Sequence, residues 1–282
     1  MRSKEAKVRG SSRTSAMTST LRCFQVLEIL AEEPFELSVS DISEILSMPR
    51  ASAHRLCATL IEAGYVDRSP SSKRYRLTPK PLWVGSGYLR HSSIYRAAFL
   101  PMQELVKQIP APAQLAVFFE DEVLIIYSLG STESTDAFAD VGLRRELHAT
   151  ASGKLFLAAM PREQVKRIMS GGLTKYTEKT TVSFARMEKD LAKIAAKGYA
   201  VNDEELLPGL VSLAAPVFGP SHETLAAISI TLRADRVHAE KETAYTDPLC
   251  EAARKTSLLL GHNRHFRAVL PPGRRNFSRI KD

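Results

Sequence analysis

Six residues just after Pro49, namely Arg50, Ala51, Ser52, His54, Arg55 and Thr59, combine small size with hydrogen-bond donors and positive charge. The chemistry open to such a set is recognition rather than bond-making. Small residues let a backbone approach base edges, while Arg, Ser and Thr donate to bases and phosphates. Four more cations follow, Arg68, Lys73, Arg74 and Arg76, placed to neutralise phosphates beside the same groove. Nothing comparable supports catalysis. The histidines are scattered, and Glu204 and Glu205 are neighbours on an extended segment, so they point to opposite faces and suit a solvated face or a salt bridge. Ala151-Ser152-Gly153-Lys154 has His148 where a phosphate-binding loop needs its first glycine and Leu155 where it needs Ser or Thr. Gly85-x-Gly87 lacks the third glycine of a dinucleotide fingerprint. No nucleophile and base stand together, so an enzyme or small-molecule sensor without a DNA target is the remote alternative.

The elements that must position these side chains are legible locally. Ser38 and Asp41 form a capping pair that opens a short helix with Ile42, Ile45 and Leu46 on its apolar face. Ser47-Met48-Pro49 breaks it, and proline then suits the first turn of a second helix from near Arg50. Ala53, Leu56, Cys57, Leu60 and Ile61 share that helix's inner stripe, at about 100° per residue, which turns Arg55 and its companions outward. Gly64 supplies a left-handed cap. Tyr65 to Arg68, the turn Ser69 to Ser72 and Lys73 to Leu77 then read as a basic hairpin, a wing. A preceding helix from Ser19 or Thr20, with Leu21, Phe24, Leu27 and Leu30 on one face, supports the pair. Residues 19–79 are therefore expected to form a winged helix-turn-helix DNA-binding domain.

Charge and length set the wider frame. The chain has 282 residues and a net charge of +8, enough for two domains. Residues 1–91 hold 14 Lys/Arg against 9 Asp/Glu, residues 92–262 hold 19 against 21, and residues 263–282 hold 6 against 1. Cationic ends flanking a slightly acidic middle suit contact with a polyanion at the ends and with something else in between. Residues 1–18 read as a disordered basic arm, either a solubilising leader or a DNA contact, and residues 263–282 as a basic tail. No run is long and apolar enough to span a bilayer and no secretory leader is evident, so a cytoplasmic protein without membrane contact is expected. Cys23, Cys57 and Cys250 are odd in number and widely spaced, which fits core thiols and neither a disulfide framework nor a metal site.

Residues 80–91 read as a linker helix and residues 92–262 as a second domain. Ser92 or Ser93 caps a helix carrying Tyr95, Phe99, Met102, Leu105, Val106 and Ile109. Gln114 to Phe119 and Val123 to Leu129 look like a hairpin, with a polar loop from Gly130 to Asp140 after it. Helices follow from Ala149 to Met160, from Pro161 to Met169 and from Ser183 to Lys197, then strands at Tyr199 to Asn202, Val211 to Phe218 and Thr224 to Leu232, and a closing helix from about Arg236 to Leu260. Grouped rather than alternating elements argue for an α+β domain with an antiparallel sheet. His148 reads as a polar core residue or a donor at a pocket rim.

Three blocks are more specific: Met48 to Leu56 with Leu60 and Gly64-Tyr65-Val66; His148 to Lys154; and Gly198 to Glu205 with Gly209 and Ala214-Ala215-Pro216-Val217. In this order and spacing they resemble the IclR family of bacterial transcriptional regulators, over roughly residues 18–262. The resemblance implies operator binding by the winged helix-turn-helix, a GAF-like effector domain, no cofactor, and dimers or tetramers built as dimers of dimers. It implies a repressor first and a ligand-dependent activator second. Carried over by motif, the effector pocket falls to Ala151, Ser152, Asn202, Ser212, Ser229 and Thr231. A common family form has aspartate where this chain has Asn202 and cysteine where it has Ser212. Both changes keep hydrogen-bonding capacity, and the first removes a negative charge. An organic acid is the ligand this favours, with a helical N-terminus near Ala149 to Ser152 as its anchor.

Overall fold

The structure, a computed structural model, describes residues 19–32, 35–130, 141–239 and 242–262. The basic arm, most of the polar loop after Gly130 and the basic tail lie outside them. The chain divides into two compact units, Met1–His91 and Ser92–Asp282.

The first unit is three helices and a hairpin. Helix α1 covers residues 19–32, α2 Val39–Ile45 and α3 Arg50–Glu62; β1 (Val66–Arg68) pairs antiparallel with β2 (Tyr75–Leu77), and α4 runs Lys80–His91. The capping box forms as expected: the Asp41 amide donates to Ser38 Oγ at 3.2 Å and the Ser38 amide to Asp41 Oδ2 at 2.8 Å. Ser47 turns the chain at φ 47°, and Pro49 caps α3. At its other end Gly64, at φ 77°, closes a Schellman motif in which the Tyr65 and Gly64 amides donate to Leu60 and Ile61 carbonyls. Ala53, Leu56, Cys57 and Leu60 pack against Val26, Leu30, Leu37, Ile42, Met48 and Tyr75. Leu37 bridges Tyr75, so the segment before α2 is tied to the wing. Four expected core residues are corrected: Ile45 and Ile61 lie exposed at the ends of their helices, and α1 buries Val26 and Leu30 while Leu21 and Phe24 face solvent. Burial pushes the Cys57 thiol up to about 11, which keeps it protonated and inert at neutral pH.

The second unit is a six-stranded sheet with helices on both faces. In chain order come α5 (Ser93–Gln108), β3 (Ala113–Phe119), β4 (Glu122–Leu129), β5 (Arg144–Glu146), α6 (Ala151–Ala159), α7 (Arg162–Met169), α8 (Phe184–Lys197), β6 (Ala200–Asp203), β7 (Leu210–Phe218), β8 (Thr224–Arg233), α9 (Ala234–Ala239) and α10 (Thr243–Leu259). The strand order is β5-β4-β3-β8-β7-β6, antiparallel throughout. Helices α5 and α10 pack on one face, and α6 with α8 on the other. Strand residues alternate between the two. Leu155, Phe156, Met187 and Leu191 thus bury Ala116, Ala200, Ala214 and Ala227, small residues that let α6 lie close to the sheet.

Three expectations are revised. Strand β5, charged at all three positions, was not expected, and the closing helix is two helices, α9 and α10, rather than one. The expected α6 also starts two residues late, because Thr150 is its N-cap and accepts from the Gly153 amide at 3.0 Å. Gly153 is required there: a Cβ would fall 2.2 Å from the Leu147 carbonyl oxygen. Gly153→Ala is expected to destabilise the second unit by about 2 kcal/mol or more, read as a lower Tm with the first unit unaffected. An unchanged melting profile would show that α6 is not seated this tightly.

Candidate functional site

Two surfaces carry the polar residues singled out in the sequence. On α3, Arg50, Ala51, His54, Arg55 and Thr59 are exposed and Ser52 is half-buried, opposite the buried stripe. Arg55 Nη2 lies 3.4 Å from Ser52 Oγ, and Thr59 Oγ1 donates to the Arg55 carbonyl at 3.1 Å. The Arg55 guanidinium and His54 thus stand on an outward face that a duplex groove can admit.

The wing is less free than its sequence implies. Arg68 Nε donates to the Lys73 carbonyl at 3.1 Å and its guanidinium lies over Tyr75, 5.5 Å from the ring centroid. Arg74 binds the Glu36 carbonyl at 2.8 Å and the Asp41 carboxylate at 3.1 Å, and Arg76 binds the Glu36 and Asp67 carboxylates, both at 3.2 Å. The Ser38 amide and hydroxyl, with Arg74, hold the Asp41 carboxyl below its ordinary range, so it stays charged beside the arginine. Lys73 sits at φ 58° in the exposed turn.

In the second unit one end of the α6 face of the sheet is polar. Strand register explains it: Asn202, Ser212 and Thr231 are successive partners across β6, β7 and β8, and Ser229 partners Gln114 of β3. Ser212 and Thr231 share a hydroxyl contact of 2.9 Å. The N-terminus of α6 is set over this end, because the Asn202 side-chain amide donates to the Ala149 carbonyl while its oxygen accepts from the Glu205 amide at 3.1 Å. Between helix and sheet lies a cavity of about 50 Å³. All six residues carried over by motif, Ala151, Ser152, Asn202, Ser212, Ser229 and Thr231, line it. Leu206, Leu207 and Leu210 wall one side and Val123, Ile125 and Leu143 another.

Three polar lining residues were missed. Thr150 caps α6. Gln114 presents a buried side-chain N–H donor with no hydrogen-bond partner among the described residues. Arg145 of β5, whose Nη1 donates to the Arg144 carbonyl at 3.1 Å, is the one charged side chain among the described lining residues, which include no carboxylate. Among the described residues the Ala151 and Ser152 amides have no backbone acceptor, so the positive end of α6 lies beside the cavity that both residues line.

Behind this site Lys154 and Glu205 form an ion pair with side chains 3% and 10% exposed. It fixes the segment bearing Leu206 and Leu207 to α6, helped by Thr180 Oγ1 donating to the Glu205 carbonyl at 2.6 Å. The Glu204-Glu205 pair is therefore structural; Glu204 turns outward to Lys179 at 2.6 Å. His148 is a polar core residue outside the cavity lining, its Nε2 2.9 Å from the Thr174 carbonyl and its Nδ1 3.1 Å from Glu146. Among the described residues no three His, Cys, Asp or Glu side chains gather as metal ligands, and no helix is long and apolar enough to cross a membrane.

A helix-turn-helix with a wing, joined in one chain to an antiparallel α+β unit holding a polar cavity, defines a DNA-binding regulator with a ligand-binding domain. The chain belongs to the IclR family: the profile "Bacterial transcriptional regulator IclR C-terminal" matches residues 86–258 and "IclR helix-turn-helix domain" matches residues 19–70. It is 30% identical over 249 residues to the HTH-type transcriptional regulator KdgR of Escherichia coli (strain K12), covering 88% of this chain and 94% of that one. It is 27% identical over 263 residues to the transcriptional repressor IclR of the same organism, covering 92% and 96%. The crystal structure of the Thermotoga maritima IclR aligns with a TM-score of 0.66 at 28% identity, covering 87% of this chain and all of that one. These relatives are transcription regulators, not enzymes.

With α3 outward and the wing partly neutralised, the two sets of cations are expected to behave differently. Arg55→Ala should cost about 1–3 kcal/mol on a preferred sequence and little on random DNA, whereas Lys73→Ala should weaken both alike and flatten the salt slope by about one. Fluorescence anisotropy on specific and random duplexes over a salt series separates them; equal losses on both duplexes for both variants would contradict this division.

Proposed function

We propose that the chain is a repressor whose operator affinity is controlled by a small organic acid held in the cavity under α6. The observation that carries the reading is the charge of that cavity: Arg145, the first turn of α6 and the Gln114 donor, which has no hydrogen-bond partner among the described residues, all line it, and the described lining includes no carboxylate. Such a set stabilises an anion, and the substitution of asparagine for the aspartate common in the family removes the group that would repel one. The volume admits a molecule of a few heavy atoms, given that one water takes about 10–15 Å³ on this scale, and the leucine and isoleucine walls suit an aliphatic body.

On this reading Arg50, Ala51, Ser52, His54, Arg55 and Thr59 face the major groove, and Arg68, Lys73, Arg74 and Arg76 lie along the backbone. Repression accords with the names of two relatives, the transcriptional repressor IclR and the acetate operon repressor of Salmonella typhimurium. A homodimer, alone or paired into a tetramer, accords with α4, where Leu82, Trp83, Val84 and Tyr88 are exposed and no residue is buried. Two-fold symmetry then presents two copies of α3 roughly 34 Å apart to a palindromic site. The effector shifts DNA affinity only by its preference for one dimer geometry. Binding genomic DNA, the protein works in the cytoplasm.

The test is DNA binding to the region upstream of the chain's own gene, with and without a panel of short aliphatic and aromatic acids and their amides. One or more acids, and not the matching amide, should change the affinity. Arg145→Gln should weaken that acid's effect by about 2 kcal/mol, roughly 30-fold in concentration, while leaving unliganded DNA binding intact. An uncharged ligand that acts equally on both proteins would refute the anionic site.

A further inference from the structure

Glu36 occupies a position that its sequence neighbours do not explain. It lies between α1 and α2, yet its side chain reaches the wing: Oε2 accepts from Ser72 Oγ at 2.9 Å and Oε1 from Arg76 at 3.2 Å, while its carbonyl accepts from Arg74 at 2.8 Å. Asp41 and Asp67 complete the second bonds of those two arginines. Two of the four wing cations, Arg74 and Arg76, are thus paired with three carboxylates, and their side chains remain 45% and 53% exposed, so the pairs are formed at the surface a phosphate would contact. Each phosphate bound by Arg76 must displace or share Glu36. At such exposure the pairs add little to stability. Their consequence is for the field outside, because a cation already neutralised releases no counterion from DNA.

We propose that Glu36 is a specificity-determining residue of the DNA interface, an internal competitor for phosphate that keeps sequence-independent affinity low and leaves discrimination to α3. This rests on the reading that the wing meets the DNA backbone. Glu36→Gln is the informative substitution, since its amide oxygen can still accept from Ser72 or Arg76 and the main-chain bond to Arg74 is untouched; only the charge is lost. Asp67→Asn removes the other carboxylate on Arg76 and can keep the bond its Oδ1 accepts from the Arg68 amide at 2.8 Å. Glu188→Gln, which removes the same charge from an ion pair with Arg162 in the second unit, is the control.

Binding of the full chain to a short random-sequence duplex is measured over a salt series. Glu36→Gln and Asp67→Asn should each bind tighter than the parent and steepen the slope of log K against log salt by about 0.9, so that affinity falls about 3.5-fold more between about 50 and 200 mM salt. Glu188→Gln should not. Lys73→Ala separates the premises. If it weakens binding while Glu36→Gln and Asp67→Asn leave affinity and slope unchanged or lower, the competitor role is wrong and the wing contact stands. If Lys73→Ala and both carboxylate variants are all without effect, the wing does not meet DNA and both ideas fall.

Discussion

Close seating of α6 on the sheet is the constraint from which the second unit follows. Thr150 caps the helix and Asn202 holds its entrance through the Ala149 carbonyl. At Gly153 there is no room for even one more carbon, because the Leu147 backbone already fills the place. Small strand residues, Ala200, Ala214 and Ala227, make that approach possible. Where the strands turn from alanine to Ser212, Ser229, Thr231 and Asn202, the same seating leaves a polar space under the open end of the helix. Packing and ligand chemistry are thus two ends of one contact, and the buried Lys154 and Glu205 pair ties the leucine wall to the same helix. Removing one partner of such a pair typically costs about 3–5 kcal/mol, since the other charge is left buried alone.

The first unit solves a different problem. Its core is small, and Tyr75 is its largest fully buried side chain, joining the segment before α2, the wing and α3. The Leu37 bridge to Tyr75 brings Glu36 beside the basic hairpin, so the bond that steadies the wing also sets its charge. Arg55 and His54, in contrast, carry no carboxylate partner in the described contacts of α3.

Much of this was legible in sequence where the signal is local. The Ser38 and Asp41 box, Pro49 and Gly64 punctuate helices by rules that need only a few neighbours. Long-range pairing was not legible. Arg145 sits in a three-residue strand of charges, and only its pairing with Val123 on β4 turns it into the cavity. Gln114 enters the site through register with Ser229, and Glu36 reaches Arg76 across 40 residues. The exposed Ile45 and Ile61 show the complementary limit: a periodic stripe says which side faces in, and not how far along the helix the core extends.

The central claim is that the anion sits between the first turn of α6 and the polar end of the sheet. A crystal structure of the full chain with the acid that alters its DNA binding tests this most directly. The account predicts the carboxylate within hydrogen-bond distance of the Ala151 and Ser152 amides, with Arg145 or Gln114 as a further donor. An acid bound elsewhere, or an unchanged empty space under α6 at saturating acid, would contradict it.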